Sequence, residues 1–99
     1  MRVIVLRTLR MFWKQAGRGD AEQPLLTWYH EAVRSSWRTP ADVKAHYGNA
    51  SILKDSRVVF NIAGNKYRLV VRVVYDFGII YVRFVGTHRE YDEIDAETI

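Results

Sequence analysis

With 99 residues, the chain is long enough for one domain, residues 1–99, and too short for two domains with separate cores. Its apolar content of 48% argues against disorder, and its lack of cysteine excludes disulfides and cysteine-based zinc sites. The formal charge of +4 is uneven, since residues 1–91 carry 15 basic and 7 acidic residues, a net +8, and residues 92–99 hold the other four acids. This excess of cations favours a polyanionic partner such as RNA, although a solvated basic surface without a partner would look the same.

The first half of the chain shows helical spacing after one short strand. Residues 3–6 are predicted to form a buried strand, and residues 8–16 a helix whose apolar side chains recur every three to four positions. A second helix is predicted to open between Asp20 and Pro24, with Asp20 as its N-cap, and to run to about Trp37. Two helices therefore precede the best-marked element of the sequence.

A third, short helix has recognisable signals at both ends. Thr39 is predicted to cap it, Pro40 to occupy its first position and Asp42 to complete a capping box. Gly48 follows Tyr47 and is expected to end the helix.

The second half of the chain is rich in Val, Ile, Tyr and Phe, which is typical of strands. After a loop at residues 49–55, strands are predicted at 57–62, 66–75 and 79–87, joined by turns at 63–65 and 76–78. The predicted order is β-α-α-α-β-β-β. It indicates an α+β fold in which an N-terminal strand and helices pack on a small, mostly antiparallel sheet.

One face of the middle strand carries cations. Lys66, Arg68 and Arg72 alternate with apolar residues that are expected to face the core. Arg83 on the last strand lies opposite Arg72 if the connecting turn has two residues, and beside Val71 if it has three. Because burying a lone guanidinium is costly, we expect the register that places Arg83 opposite Arg72.

The segment Gly86–Asp92 places an imidazole, a phenol and carboxylates just past the last strand. RNA can be cut without a metal when its 2′-hydroxyl attacks the adjacent phosphate, provided that protein groups move the protons and stabilise the extra negative charge. Histidine is suited to proton transfer near neutral pH, and arginine presents a planar fork that matches phosphate oxygens. From these residues alone, His88 as a surface or capping residue and Tyr91 as a packing residue remain open alternatives.

Metal and membrane sites are not predicted. The three histidines are far apart in sequence and show no spacing typical of metal ligands, so we expect no metal and no cofactor. No apolar run approaches the roughly 18 residues of a membrane span, so a cytoplasmic protein is expected.

Residues 57–95 resemble the HigB family of type II toxins, members of the RelE-like superfamily. The resemblance rests on the segments Val59-Phe60-Asn61-Ile62, Gly64-Asn65-Lys66-Tyr67-Arg68-Leu69, Tyr81-Val82-Arg83-Phe84-Val85-Gly86-Thr87-His88 and Glu90-Tyr91-Asp92. It implies a RelE-like fold and an endoribonuclease that cleaves mRNA on the ribosome. It also implies neutralisation by a HigA-like helix-turn-helix antitoxin.

The same resemblance assigns candidate roles to individual residues. Arg68, Arg83, His88 and Tyr91 are the implied catalytic set, in which the arginines bind the phosphate and stabilise the transition state, and His88 and Tyr91 form the proton-transfer and base-positioning pair. Which group is the general base stays open. Asn61 and Asn65 are expected to order the turn. Further RNA-binding candidates are Lys66, Arg72, Arg89 and Arg57, of which Arg72 lies outside the family pattern.

Two other functions remain open at this stage. One alternative is a non-catalytic module that binds RNA or the ribosome, and the other is a degenerate toxin that only binds its antitoxin. The acidic segment 92–99 has three open interpretations as well: a solvated end, a segment that folds back on the basic face, or one that avoids the RNA path.

Overall fold

The second half of the chain builds most of a five-stranded sheet in the computed structural model, which describes residues 1–99. The strands are β1 (Arg2–Ile4), β2 (Ser51–Ile52), β3 (Arg57–Ile62), β4 (Tyr67–Val74) and β5 (Ile79–Thr87). Their order in the sheet is β1-β5-β4-β3-β2, with β1 parallel to β5 and all other neighbours antiparallel. The predicted α+β fold with a mostly antiparallel sheet is confirmed. Strand β2 lies in the segment that was predicted to be a loop.

Four helices accompany the sheet: α1 (Leu6–Trp13), α2 (Glu22–Arg34), α3 (Pro40–His46) and α4 (His88–Asp92). Helix α1 begins and ends earlier than predicted, and α2 ends at Arg34 rather than at Trp37. Ser35 is extended there, and its hydroxyl donates a hydrogen bond of 2.7 Å to the Ala32 carbonyl. Helix α4 was not predicted. None of the four helices combines the length and the hydropathy that crossing a bilayer requires.

The predicted ends of the helices are right for α3 and wrong for α2. The Thr39 hydroxyl accepts a hydrogen bond from the Asp42 amide at 3.3 Å, and the Asp42 carboxylate accepts one from the Thr39 amide at 3.1 Å, which completes the predicted capping box. At α2 the N-cap is Ala21, and no side chain caps the helix. The carboxylate of Asp20 instead contacts the β3–β4 turn and the start of β4.

The main core lies between α1–α3 and one face of the sheet. Phe60 on β3 is its aromatic centre, with ring centroids 5.4 Å from Trp28, 6.0 Å from Trp37 and 5.1 Å from Tyr47. Near the other end, the Phe12 ring meets the buried Tyr67 ring edge-on at 5.2 Å. Helices α1–α3 therefore cover only one face of the sheet.

A bulge in β5 sets the position of Arg83. Residues 70 and 71 of β4 pair with Phe84 and Val82, so Arg83 is the extra residue without a partner. The prediction that Arg83 lies opposite Arg72 is wrong, because Tyr81 occupies that position. The bulge lets Val82 face the main core and Phe84 the opposite face of the sheet, while Arg83 remains exposed.

The opposite face of the sheet is covered in its middle by the C-terminal segment. Val59 and Val70 pack there against Ala96, and several partly buried apolar side chains surround them: Leu53, Phe84, Tyr91, Ile94 and Ile99. The Arg57 guanidinium donates hydrogen bonds of 3.0 and 2.6 Å to the Ile99 main-chain oxygen. Of the three interpretations of the acidic segment, the structure therefore favours the one in which it folds back on the basic face.

Candidate active site

Arg68 lies at the end of the sheet face that the C-terminal segment leaves open. It pairs with Asn61 on β3 and with Gly86 on β5, so these three residues form one row across the face. A side chain at position 86 would collide with its neighbours, because a Cβ atom there would lie 2.5 Å from Phe84 Cζ and 3.0 Å from Glu90 Oε1. The glycine thereby lets α4 approach the sheet closely beside Arg68.

His88 is held at this row by the capping box of α4. The Thr87 hydroxyl accepts a hydrogen bond from the Glu90 amide at 3.2 Å, and the Glu90 carboxylate accepts one from the Thr87 amide at 2.9 Å. Helix α4 has only five residues and is too short to be stable by itself, so the capping box contributes much of its stability. His88 is the first residue after the cap, and its position is fixed accordingly.

Two groups meet the same nitrogen of His88. Arg68 Nε lies 3.2 Å from His88 Nε2, and Asn65 Oδ1 lies 3.0 Å from it. Arg68 can only donate, so its contact requires an Nε2 without a proton; Asn65 Oδ1 can only accept, so its contact requires an Nε2 that carries one. The two contacts therefore require different positions of the imidazole proton, which differ between the two neutral tautomers and the charged form, and the site has a partner for Nε2 with and without a proton.

Tyr91 completes the cluster from the side of α4. The guanidinium carbon of Arg68 lies 5.4 Å from the centre of the Tyr91 ring, within the range of a cation–π contact. The ring also packs against the apolar cluster beneath the C-terminal segment. Arg68 is thus held between a histidine and a tyrosine, both from α4.

A second group of charges joins the helices to the same edge of the sheet. Asp20 forms an ion pair with Lys66 and accepts a hydrogen bond of 2.6 Å from the Tyr67 hydroxyl. Hydrogen bonds from Lys66 and then Tyr67 lower the pKa of Asp20, and the bond to Asp20 raises the pKa of Lys66. Arg18 forms an ion pair of 3.0 Å with Glu90, whose pKa is lowered first by the Thr87 amide and then by Arg18.

Replacing Asp20 by Asn should make the acid-induced loss of stability less steep. The pKa of Asp20 is below its ordinary value of 3.8 in the folded protein, so its ionised form stabilises the fold above about pH 4, and this contribution disappears as the pH falls through the lowered pKa. We expect the wild type to be more stable than Asp20→Asn at pH 7 and the difference to shrink below pH 4. Urea unfolding at stepped pH values measures this, with Asp76→Asn, an exposed carboxylate without an ion pair, as control. A difference that stays constant down to pH 2 would contradict it.

The remaining candidate residues are spread more widely. Lys66 is exposed but bound to Asp20, and Arg89 is exposed on α4. Arg83 is exposed on β5, three residues from Gly86 and hence roughly 10 Å along the strand from the Arg68 row. Arg57 and Arg72 pair with each other across β3 and β4 at the opposite end of the face, beyond the apolar cluster.

The structure thus brings three of the four predicted catalytic residues, Arg68, His88 and Tyr91, into one cluster, and leaves Arg83 apart from their contacts. Sequence reasoning missed four residues that shape the cluster: Arg18, Asp20, Glu90 and, as a partner of His88, Asn65. The capping box of α4 has a readable signal, since Thr87 is followed three residues later by Glu90. The contacts of Arg18, Asp20 and Asn65 span 23 to 72 positions and have no local signal.

The cluster is an open surface rather than a deep pocket. The two largest cavities, of about 500 and 480 Å³, lie on the helical side, and neither is lined by Arg68, His88 or Tyr91. An open site suits a polymer that lies across a surface better than a small ligand, which usually needs an enclosing cleft.

Comparison with known proteins relates the chain to a family. The profile of HigB_toxin, described as the RelE-like toxic component of a toxin-antitoxin system, matches residues 21–94. The chain is 36% identical over 66 residues to the mRNA interferase toxin HigB of Escherichia coli K12, and equally to the mRNA interferases HigB of Escherichia coli O157:H7 and Shigella flexneri. Each match spans 65% of this chain and 64% of the relative.

Proposed function

Since the chain belongs to the family of HigB toxins, the RelE-like toxic components of toxin–antitoxin systems, we propose that it is an endoribonuclease that cleaves mRNA on the ribosome. The observation that carries the proposal is the contact between Arg68 and His88, which sets a phosphate-binding group beside a proton-transfer group. The relatives are named mRNA interferases, which supports the same substrate. We propose the cytoplasm as the compartment, because mRNA is translated there.

In the proposed reaction the 2′-oxygen of a ribose forms a bond to the adjacent phosphorus while the bond from phosphorus to the 5′-oxygen breaks. The 2′-hydroxyl gives up its proton, and the leaving 5′-oxygen takes one. The products are a 2′,3′-cyclic phosphate and a 5′-hydroxyl, so atoms and charge balance without a metal or an added reactant. Proton transfer of this kind is worth about 10²–10⁴-fold in rate.

His88 moves a proton at Nε2 in this scheme. The neutral form that accepts from Arg68 has the lone pair needed to remove the 2′-proton, and the form that donates to Asn65 has the proton needed by the 5′-oxygen. Tyr91 orients the Arg68 guanidinium through the contact with its ring.

The Nε–H group of Arg68 cannot donate to His88 and to a phosphate oxygen at the same time. Its Nε–H group donates to His88 in the absence of RNA, and a phosphate oxygen is the stronger acceptor because it carries a charge. Binding of the scissile phosphate therefore draws Arg68 from the imidazole to the phosphate and leaves Nε2 free to act. We assign Arg83, Lys66, Arg72, Arg89 and Arg57 to the flanking RNA, with Lys66 and Arg57 first leaving the partners that now hold them.

The proposed partners are the translating ribosome and a HigA-like antitoxin with a helix-turn-helix domain. The family description names a toxin–antitoxin system and so supports the antitoxin. Ribosome dependence is supported by the shallow cluster, which holds few groups to bind and orient RNA by itself.

Mapping of transcript ends after induced expression tests the activity. We expect new 5′-hydroxyl ends within a translated reporter, and 3′ ends that accept an adaptor only after the cyclic phosphate is removed. The same reporter without a start codon should stay intact, and co-expression of a cognate HigA-like antitoxin should suppress both cleavage and growth arrest. Growth arrest with intact transcripts would indicate a non-catalytic ribosome-binding module instead. Antitoxin binding without any growth arrest would indicate a degenerate toxin.

A further inference from the structure

Helix α1 presents a row of cations that the proposed active site does not use. Arg7, Arg10 and Lys14 are exposed at intervals of three and four residues, which places them within an arc of roughly 60° on the helix. The buried residues Leu9, Phe12 and Trp13 lie on the opposite side. We call the exposed row of Arg7, Arg10 and Lys14 the α1 cationic face.

These three cations have no partner within the protein. The four ion pairs of the structure involve other residues, and no side-chain hydrogen bond engages Arg7, Arg10 or Lys14. No acid occurs among residues 1–19, which include five basic residues. By contrast, Arg18, Lys66 and Arg57 are each bound to an oxygen of the chain itself. Unbalanced cations in this arrangement repel one another, and an anionic partner relieves that repulsion.

The buried side of helix α1 is connected to helix α4. The Phe12 ring packs edge-on against Tyr67, which directly precedes Arg68 in the chain. The guanidinium of Arg18 lies 4.8 Å from the centre of the Phe12 ring and pairs with Glu90, two residues after His88. The end of α1 at Lys14 is therefore held near α4 by Arg18, while the α1 cationic face points away from the core on the helical side of the sheet.

We propose that the α1 cationic face binds backbone phosphates of RNA and forms a second nucleic-acid site on the helical side of the sheet, separate from the cleavage cluster. The proposal rests on the proposed function for the identity of the polyanion. A protein partner is disfavoured, because stable protein interfaces need an apolar centre and this face offers only Met11, which is 57% exposed. Helix α1 also lies before residue 21, where the match to the family profile begins, so this site is not part of the matched segment.

The test compares two variants that remove the same charge from different places. Arg7→Gln/Arg10→Gln removes two of the three charges of the α1 cationic face, and Arg34→Gln/Arg38→Gln removes the charges of two exposed arginines without ion pairs near the end of α2. Glutamine has nearly the helix propensity of arginine, so α1 should stay folded, which circular dichroism verifies. The full-length protein is titrated into a fluorescent single-stranded RNA with 2′-O-methyl riboses, and separately into protein-free ribosomal RNA, at several salt concentrations.

For Arg7→Gln/Arg10→Gln on the single strand, we expect the slope of the logarithm of the binding constant against the logarithm of the salt concentration to fall in magnitude by about 1.4. This value corresponds to about 0.7 for each of the two lost phosphate contacts. For Arg34→Gln/Arg38→Gln we expect the wild-type slope. A selective loss on the oligonucleotide identifies the message as the source of the phosphates. A selective loss on ribosomal RNA alone identifies the folded RNA. Equal losses in both variants, or no loss on either RNA, would overturn the proposal.

This experiment is independent of cleavage. A 2′-O-methyl ribose has no hydroxyl to attack the phosphate, so binding is measured whether or not the protein is a nuclease. If transcript mapping showed no cleavage while the slope still fell selectively, the α1 site would stand and the proposed activity would not.

Discussion

Replacing His88 by Ala is expected to lower RNA cleavage by about 10²–10⁴-fold, the contribution that a positioned acid–base group usually makes. The expected effect is chemical rather than structural, because His88 is only half-buried and its main-chain position is fixed by the capping box of Thr87 and Glu90. Single-turnover cleavage of a ribosome-bound message measures it, together with the free energy of unfolding from urea denaturation.

His30→Ala is the matched control for this substitution. His30 is an exposed histidine on α2 that forms no ion pair, so its removal should leave both cleavage and stability near the wild-type values. Full toxicity of His88→Ala, at unchanged expression, would remove His88 from the active site. Loss of toxicity in both histidine variants would point to a general effect on folding or on ribosome binding.

The elements that the sequence predicts correctly have signals within a few residues. Thr39, Pro40 and Asp42 mark the start of α3 because a capping box is a contact between neighbours in sequence. The strands β3 and β5 and the left-handed Gly78 in the turn between β4 and β5 also follow from local composition. The resemblance to HigB toxins added the grouping of Arg68, His88 and Tyr91, which periodicity alone leaves open.

The features that the sequence did not predict depend on contacts between distant segments. Asp20 precedes a helix and so has the sequence position of an N-cap. Its carboxylate instead forms an ion pair with Lys66, 46 residues away. At Arg83, turn length and side-chain alternation predict only two regular ladders. The bulge lets Val82 pack on one face of the sheet and Phe84 on the other, and it leaves the Arg83 guanidinium exposed. Neither regular ladder achieves both.

Some cations of this protein have a partner within the chain and others do not. This difference affects how much free energy each cation gains when it binds a phosphate of RNA. Lys66 and Arg57, which the resemblance assigned to RNA, are held by Asp20 and by the Ile99 main-chain oxygen. RNA must displace these partners, so part of the gain from each new phosphate contact is offset. The cations of α1 have no such partner, and a phosphate contact there replaces only water and salt ions.

Replacing Phe60 by Ala should destabilise the fold by about 3–5 kcal/mol and abolish toxicity although no residue of the proposed active site is changed. Phe60 is 1% exposed, and its ring contacts three other aromatic rings of the main core. A domain of this size is typically stable by only about 5–15 kcal/mol, so the loss is a large part of the total. Thermal unfolding should show a midpoint lowered by more than about 10 °C.

Phe77→Ala separates this effect from a loss of aromatic surface in general. Phe77 is 79% exposed in the turn before β5, so we expect its removal to change the free energy of unfolding by less than about 0.5 kcal/mol and to leave toxicity intact. Phe60→Ala and His88→Ala then lose toxicity for different reasons, since only the first should lose its cooperative unfolding midpoint. Wild-type stability of Phe60→Ala would contradict the assignment of the aromatic centre of the core, because a buried ring of that size leaves a cavity that the surrounding side chains cannot fill without cost.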